Sequence, residues 1–349
     1  MVFVINSVGT RILSLVEGFI LVLHLSAFLA VLVPLIYFSP KGDATAVFAT
    51  FTDLGGWNSN GLAWFVGFSL SANLPLIGYD GPCHLAEEVR DASRMVPWCM
   101  VSCVTLNGLL GFAVVIAFSF CIVPSLDKAL VNPTGYDFIE VFYRAVGPAG
   151  TAGLTAILII LVWCATIGFL ATASRQVWAF ARDRGLPFSD YFAKVNSTLA
   201  LPLRAIVLCS VLPCLIALIN IGSTAAFNAI VSLTEAGLFT SYLIPICLMM
   251  LKKLKGETIR FGPWKMGWRS GIAVNMFSSV FLILSVFFSF FPAATPVTPV
   301  SMNWSIAVFG GFVIIGLMWY AALGRKQYSG PIIETPGLVT YESKTENSR

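Results

Sequence analysis

Runs of apolar residues, each close to 20 long, divide this chain and decide what it can fold into. They fall at residues 15–38, 61–80, 98–123, 152–174, 205–222, 226–250, 271–291 and 304–323. A helix rises 1.5 Å per residue, so about 20 apolar residues cross the roughly 30 Å of hydrocarbon in a bilayer. Unpaired backbone amides are not tolerated in lipid, and the runs lack the alternating period of a barrel strand, which leaves helices as the conformation. The fold class is therefore all-α integral membrane, with about eight transmembrane helices. Composition agrees: only 11% of the residues are charged, where a soluble domain carries roughly 25%.

Orientation follows from the basic residues, because positive loops stay in the cytoplasm. With the N-terminus inside, only Lys41, Lys128 and Arg144 of the 21 Lys and Arg fall outside. The inner loops collect groups such as Arg90 and Arg94, Arg175 to Arg204, and Lys252 to Arg269. Both termini are then cytoplasmic. The net charge of +4 reports this topology, and no basic run with interleaved aromatics points to a nucleic acid. The 8 cysteines lie in or beside the apolar runs without a CxxC pair or a His cluster. They read as small packing residues and imply no disulfide, metal or cofactor. Met1 to Thr10 is short and runs straight into a full span, so it does not resemble a cleavable signal.

The most informative stretch is LPLIGYDGPCHLAEEVRDASRMVP, Leu74 to Pro97. Gly78, Gly81 and Pro82 unwind a helix, and Asp80 among them places a charge where it costs roughly 2.5–3.5 kcal/mol near the bilayer centre. Irregular backbone at membrane depth is tolerated where it lines a cavity, and in secondary transporters such a discontinuous helix presents amides and carbonyls to substrate and ions. On this reading Gly78, Tyr79, Asp80 and Gly81 bind substrate. The alternative is that the span ends at Tyr79 and Asp80 caps the following helix.

Other polar residues stand out in apolar surroundings. Glu235 lies mid-span with Asn228, Ser232 and Tyr242 on one helical face, and it is a candidate for reading a cationic group or carrying a proton. A buried acid kept neutral by hydrogen bonds is the competing reading. His24 sits mid-span seven residues after Glu17 and is a proton-coupling candidate beside Asp80 and Glu235; packing is the alternative. HLAEE at His84 lacks the second His of HExxH, so a salt-bridged cytoplasmic gate of Glu87 and Glu88 with Arg90, Arg94 or Arg175 is favoured over a metal site. Cys164, Gly168 and Thr172 put small residues at every fourth position, a close-packing face.

The order of these features resembles the fungal GABA, choline and amino acid permeases of the amino acid–polyamine–organocation superfamily. The match to helix six runs through Gly78, Asp80, His84, Glu87, Glu88, Ala92, Ser93 and Pro97. Further likenesses are GFLATASRQVWAFARDRGLP from Gly168, INIGSTAAFNAIVSL from Ile219, FFPAATPVTPVSMNW from Phe290 and GRKQYSGPI from Gly324. The resemblance implies a twelve-helix fold with a five-plus-five inverted repeat, of which this chain carries the equivalents of helices 5–12. Residues 1–251 then hold the end of the first repeat (the tail of helix four and helix five) and the complete second repeat (helices six to ten). Residues 252–323 are helices eleven and twelve, and 324–349 are a cytoplasmic tail. Helices one to three and most of four lie outside the chain, and with them the other half of a site formed between broken helices one and six.

The function expected is secondary active transport of amino acids or related amines of the GABA, choline or polyamine type. The resemblance implies proton coupling and a plasma-membrane rather than vacuolar location. The partners expected are the small-molecule substrate, a proton and the lipid bilayer. The rival is a transport-incompetent truncated permease acting only as a membrane partner. An enzyme is disfavoured, since no Ser/His/Asp, HExxH or paired Cys set is visible. The lack of a phosphate-binding G-x-x-x-x-G-K-[ST] loop argues against an ATP-driven pump.

Overall fold

Lipid leaves the backbone of a long apolar run no way to satisfy its amides except within one helix or a closed barrel. In the computed structural model, which describes residues 1–8, 10–68, 73–259, 261–299, 301–328 and 330–331, long helices dominate the chain. A short α1 (Val2–Val8) leads into α2 (Thr10–Phe38). After a loop come α3 (Asn60–Phe68), a single 3-10 turn at Leu74–Leu76 and α4 (Gly81–His84). The remaining long helices are α5 (Ala92–Ile122), α6 (Asp137–Arg182), α7 (Leu203–Gly222), α8 (Thr224–Leu254), α9 (Trp268–Ser289) and α10 (Ser305–Trp319).

Among the described residues, 6 helices are long and apolar enough to cross a bilayer: α2, α5, α6, α8, α9, and α10 with its continuation to Gln327. A seventh, α7, is apolar over the shorter stretch Leu203–Ile219. The remaining expected span, residues 61–80, is not one helix: beyond α3 the described chain runs through a 3-10 turn at Leu74–Leu76 and turn residues 77–80 before α4 begins. The interruption falls where glycine and proline crowd the sequence. Arg260 and residues 332–349, which include Lys344 and Arg349, lie outside the described residues.

One long element is bent rather than straight. Within α6, Gly147 takes φ 69 and ψ −177, a conformation that side-chain-bearing residues avoid. Pro148 follows it and has no N–H to give the preceding turn. The piece 137–146 therefore turns sharply into the span that begins at Pro148.

Burial is confined to seams between helices, while large apolar side chains such as Phe19, Phe112 and Phe277 are 65%, 67% and 75% exposed. Lipid is as apolar as these side chains, so little hydrophobic drive remains for helix association, and close contact depends on small residues and polar ties. Asn6 Nδ2 donates to the Ile167 carbonyl (3.2 Å), joining α1 to α6 beside the cluster of Leu13, Ile167 and Ala171. At the other end, Val31, Leu35, Cys121, Val141, Phe142 and Leu154 join α2, α5 and α6. The loop before α3 is tied to the loop after α9 by the Thr295 amide donating to the Gly55 carbonyl (2.7 Å).

Two positions of the small-residue stripe on α6 show why side chains are missing there. A Cβ on Gly168 would lie 3.2 Å from Glu17 Oε1 on α2, and a Cβ on Gly81 would lie 3.4 Å from Thr172 Cγ2. The stripe thus seats α2 and the restart of the broken span against α6. Gly168→Leu is expected to push the Glu17 side chain aside and lift α2 from α6, at a cost of about 1–3 kcal/mol. Thermal unfolding in detergent measures this, and an unchanged midpoint would show that the two helices are not in such close contact.

Candidate functional site

The interruption is built from consecutive local choices. The 3-10 turn Leu74–Leu76 ends at Ile77, which is extended (φ −75, ψ 163). Gly78 then takes φ +84, a region open to glycine. The Gly81 amide donates to the Gly78 carbonyl (3.1 Å), closing a four-residue turn. Pro82 lies in the first turn of α4, where its missing N–H costs nothing. Asp80 occupies the N-cap position of α4, yet its side chain makes no capping hydrogen bond. That corrects the alternative in which Asp80 serves as an ordinary helix cap.

The carboxylate is committed elsewhere. Its Oδ1 accepts from Tyr242 Oη on α8 (2.6 Å), and its Oδ2 lies 2.9 Å from His84 Nε2 on the next turn of its own helix. The Tyr79 ring packs on the Tyr242 ring at 5.2 Å between centroids. Phe169 Cε1, on α6, lies 3.6 Å from where a Cβ on Gly78 would be. Tyr242 sits at the middle of the 26-residue span Ala229–Leu254. The turn therefore lies alongside the middle of α8, level with Phe169 and Thr172 inside α6.

A second tie lies one step up the same face of α8. Asn73 Nδ2 donates both to Glu235 Oε1 (3.1 Å) and to Ser285 Oγ on α9 (3.0 Å). Glu235 is 0% exposed, Asn73 4% and Ser285 5%. Asn73 and Asp80 are separated by the same seven residues as Glu235 and Tyr242. Two helical turns of α8 thus span the interruption and are bonded at both of its ends.

Beyond α4, carboxylates meet arginines. Arg175 Nε donates to Glu88 Oε1 (2.9 Å), with the Arg175 side chain 5% exposed. Arg182 makes a two-pronged contact to Glu87, at 3.0 Å and 2.8 Å. Those bonds from the guanidinium hold the Glu87 carboxyl below its ordinary range. Arg182 also lies over the Trp178 ring (4.7 Å), whose Nε1 donates to the Ala193 carbonyl (3.1 Å). The α4 exit is so pinned to α6 and, through Trp178, to the loop beneath it.

Comparison with known proteins decides what this frame belongs to. The profile of the amino acid permease family matches residues 1–312. The chain belongs to the amino acid permease family. It is 30% identical over 332 residues to an uncharacterized amino-acid permease of Schizosaccharomyces pombe, covering 94% of this chain and 60% of that protein. It is 30% identical over 287 residues to a choline transporter of Saccharomyces cerevisiae, covering 82% of this chain and 50% of that one. With a GABA-specific permease of the same yeast it shares 26% over 292 residues, 83% of this chain and 50% of the relative. The chain thus spans half to about three fifths of the length of these relatives.

In this permease-family chain the expected site residues fall into distinct places. Gly78, Tyr79, Asp80 and Gly81 form the turn itself. Glu235 is enclosed two helical turns away from Tyr242, in a cluster of its own. Glu87, Glu88 and Arg175 meet as ion-pair partners, whereas Arg90 is exposed and holds neither carboxylate. Arg182 takes the place expected of Arg90, because the i+7 step from Arg175 along α6 puts both guanidiniums on the face that meets the α4 exit. His24 lies half-buried on α2, which packs against α6 and α5. The side chain of Asn228 lies outside the described residues. Sequence reasoning missed Asn73 and Ser285, since one amide and one hydroxyl in apolar runs carry no periodic signal. It assigned His84 and Tyr242 no partner, although the i, i+4 spacing of Asp80 and His84 is the signal that finds that pair.

Proposed function

We propose that this permease-family chain serves secondary active transport of amino acids or related amines, with Gly78–Gly81 as its part of the solute site. The observation that supports this most is Asp80, a carboxylate on a helix break alongside the middle of a spanning helix. Charge at that depth is expensive, and a use that offsets the cost is to meet the cationic end of a solute, while the opened turn offers backbone groups to its other end. The names of the choline and GABA relatives point to solutes of that kind.

The reading extends to the surroundings. The Glu88–Arg175 and Glu87–Arg182 pairs act as a cytoplasmic gate that must open for release, with both termini on that side and the plasma membrane as the host. Transport is proton-coupled. Glu235 is a positioning residue that holds one end of the break through Asn73, and it meets no solute in the enclosed arrangement. Nothing in the arrangement calls for covalent chemistry, so the chain reads as a transporter rather than an enzyme.

Reconstitution tests this. Vesicles containing the chain are expected to accumulate labelled choline, GABA or another amino acid saturably, beyond protein-free vesicles. Accumulation no greater than in empty vesicles for every solute overturns the proposal.

A further inference from the structure

Each oxygen of Asp80 already has a partner. Tyr242 donates to Oδ1 (2.6 Å) and the His84 imidazole lies against Oδ2 (2.9 Å). A solute that brings a cationic group to this carboxylate arrives beside both partners. The two differ in kind. Tyr242 offers a neutral dipole on a helix bonded to both ends of the break, and it can stay while a cation approaches. His84 becomes a cation when protonated, so it contends with the solute for the same negative charge.

Among the described residues, the carboxylates nearest this pair, Glu87 and Glu88, are held by arginines. The Asp80 and His84 side chains are 19% and 23% exposed, which weakens the screening a surface pair would enjoy. Each element packed on α4 brings its own groups. From α6 come Arg175 and Arg182, paired with Glu88 and Glu87 of the short turn Ala86–Glu88. At the start of α5 stand Asp91 and Arg94, both exposed, and further along Met100 Sδ lies 3.4 Å from the Cys83 thiol. α8 brings Tyr242, and the turn itself Tyr79.

Resting on the reading of Gly78–Gly81 as a solute site, we infer that the His84 imidazolium is a built-in stand-in for the cationic group of the solute. A proton on His84 and a cationic solute on Asp80 exclude one another, and the break exchanges one for the other. The balance is simple: imidazolium leaves Asp80, gives its proton to water, and the solute cation takes its place on the carboxylate. Coupling at this carboxylate therefore has a sign: the solute binds more tightly as the pH rises, and its binding expels a proton. Reciprocity requires the proton to expel the solute equally.

Choline is the right probe because its charge does not change with pH. With the whole chain in lipid nanodiscs, choline affinity is expected to rise with pH by up to about tenfold per unit while His84 carries a proton and to level off once it does not. In weakly buffered solution, binding where affinity still rises with pH should release up to about one proton per choline, and on the plateau almost none. His84→Gln should lose both the pH dependence and the proton release, and Asp80→Asn should lose choline binding at every pH. Choline binding that is independent of pH, that tightens as pH falls, or that keeps its proton release in His84→Gln overturns the exchange and leaves the cation site standing. Absence of binding by the unmodified chain, or binding by Asp80→Asn as tight as by the unmodified chain, overturns the cation site itself, and the exchange with it.

Discussion

Asp80→Asn is expected to cut uptake of labelled choline or GABA by at least about 30-fold while leaving the protein in the membrane. Asparagine keeps the shape and one oxygen to accept from Tyr242 Oη, so the turn Gly78–Gly81 has no new steric reason to rearrange. What it loses is the charge. Removing one member of a desolvated, hydrogen-bonded charge pair costs about 2–5 kcal/mol. The Asp80 side chain is 19% exposed, so the low end of that range applies, and about 2 kcal/mol is a factor of roughly 30. Insertion should be unharmed or improved, because a carboxylate at membrane depth is itself unfavourable by roughly 2.5–3.5 kcal/mol. Uptake by vesicles containing equal amounts of both proteins is the measurement. Wild-type flux through the asparagine variant would remove Asp80 from the site and leave the broken helix without an assigned chemistry.

The spans were legible because lipid imposes one rule along their whole length: apolar side chains outward and every amide satisfied within the helix. That rule fixes the start of α8 to within two residues and the ends of α2 and α7 without error. It also exposes the exception, since Gly78, Gly81 and Pro82 violate it within five residues. It says little about which polar side chains meet, because that depends on how helices rotate and slide against each other. Glu235 and Tyr242 could be placed on one face of α8 by spacing alone. Their partners Asn73 and Asp80 are 162 residues away along the chain, and no local pattern names them. The ion pairs show the same limit: Arg175 stands out because it ends an apolar run, whereas Arg182 is one basic residue among several until the fold brings Glu87 to it.

The matched spacing of Asn73 with Asp80 and of Glu235 with Tyr242 gives Glu235 a role that two substitutions can separate from proton carriage. Glu235→Ala removes one of the two oxygens to which Asn73 donates and leaves a gap in a fully buried place. A buried N–H left without its acceptor costs about 1–3 kcal/mol, the low end applying while Ser285 still accepts from the same amide, and the cavity adds to it. The break should lose its hold at one end, so both the thermal midpoint in detergent and uptake should fall, the latter by about tenfold or more. Glu235→Gln preserves length, shape and an oxygen in the position of Oε1. It should unfold within about 1 kcal/mol of the unmodified chain and retain most of its uptake. Rescue by glutamine is the signature of a residue that positions Asn73. If glutamine proves as stable as glutamate but as inactive as alanine, the ionisable group itself is used, and Glu235 joins the coupling machinery instead of the scaffold. The tie to Ser285 of α9 makes the same distinction from the other side: Ser285→Ala takes one acceptor from Asn73 but leaves Glu235 in place, so it should weaken stability slightly and leave uptake nearly intact.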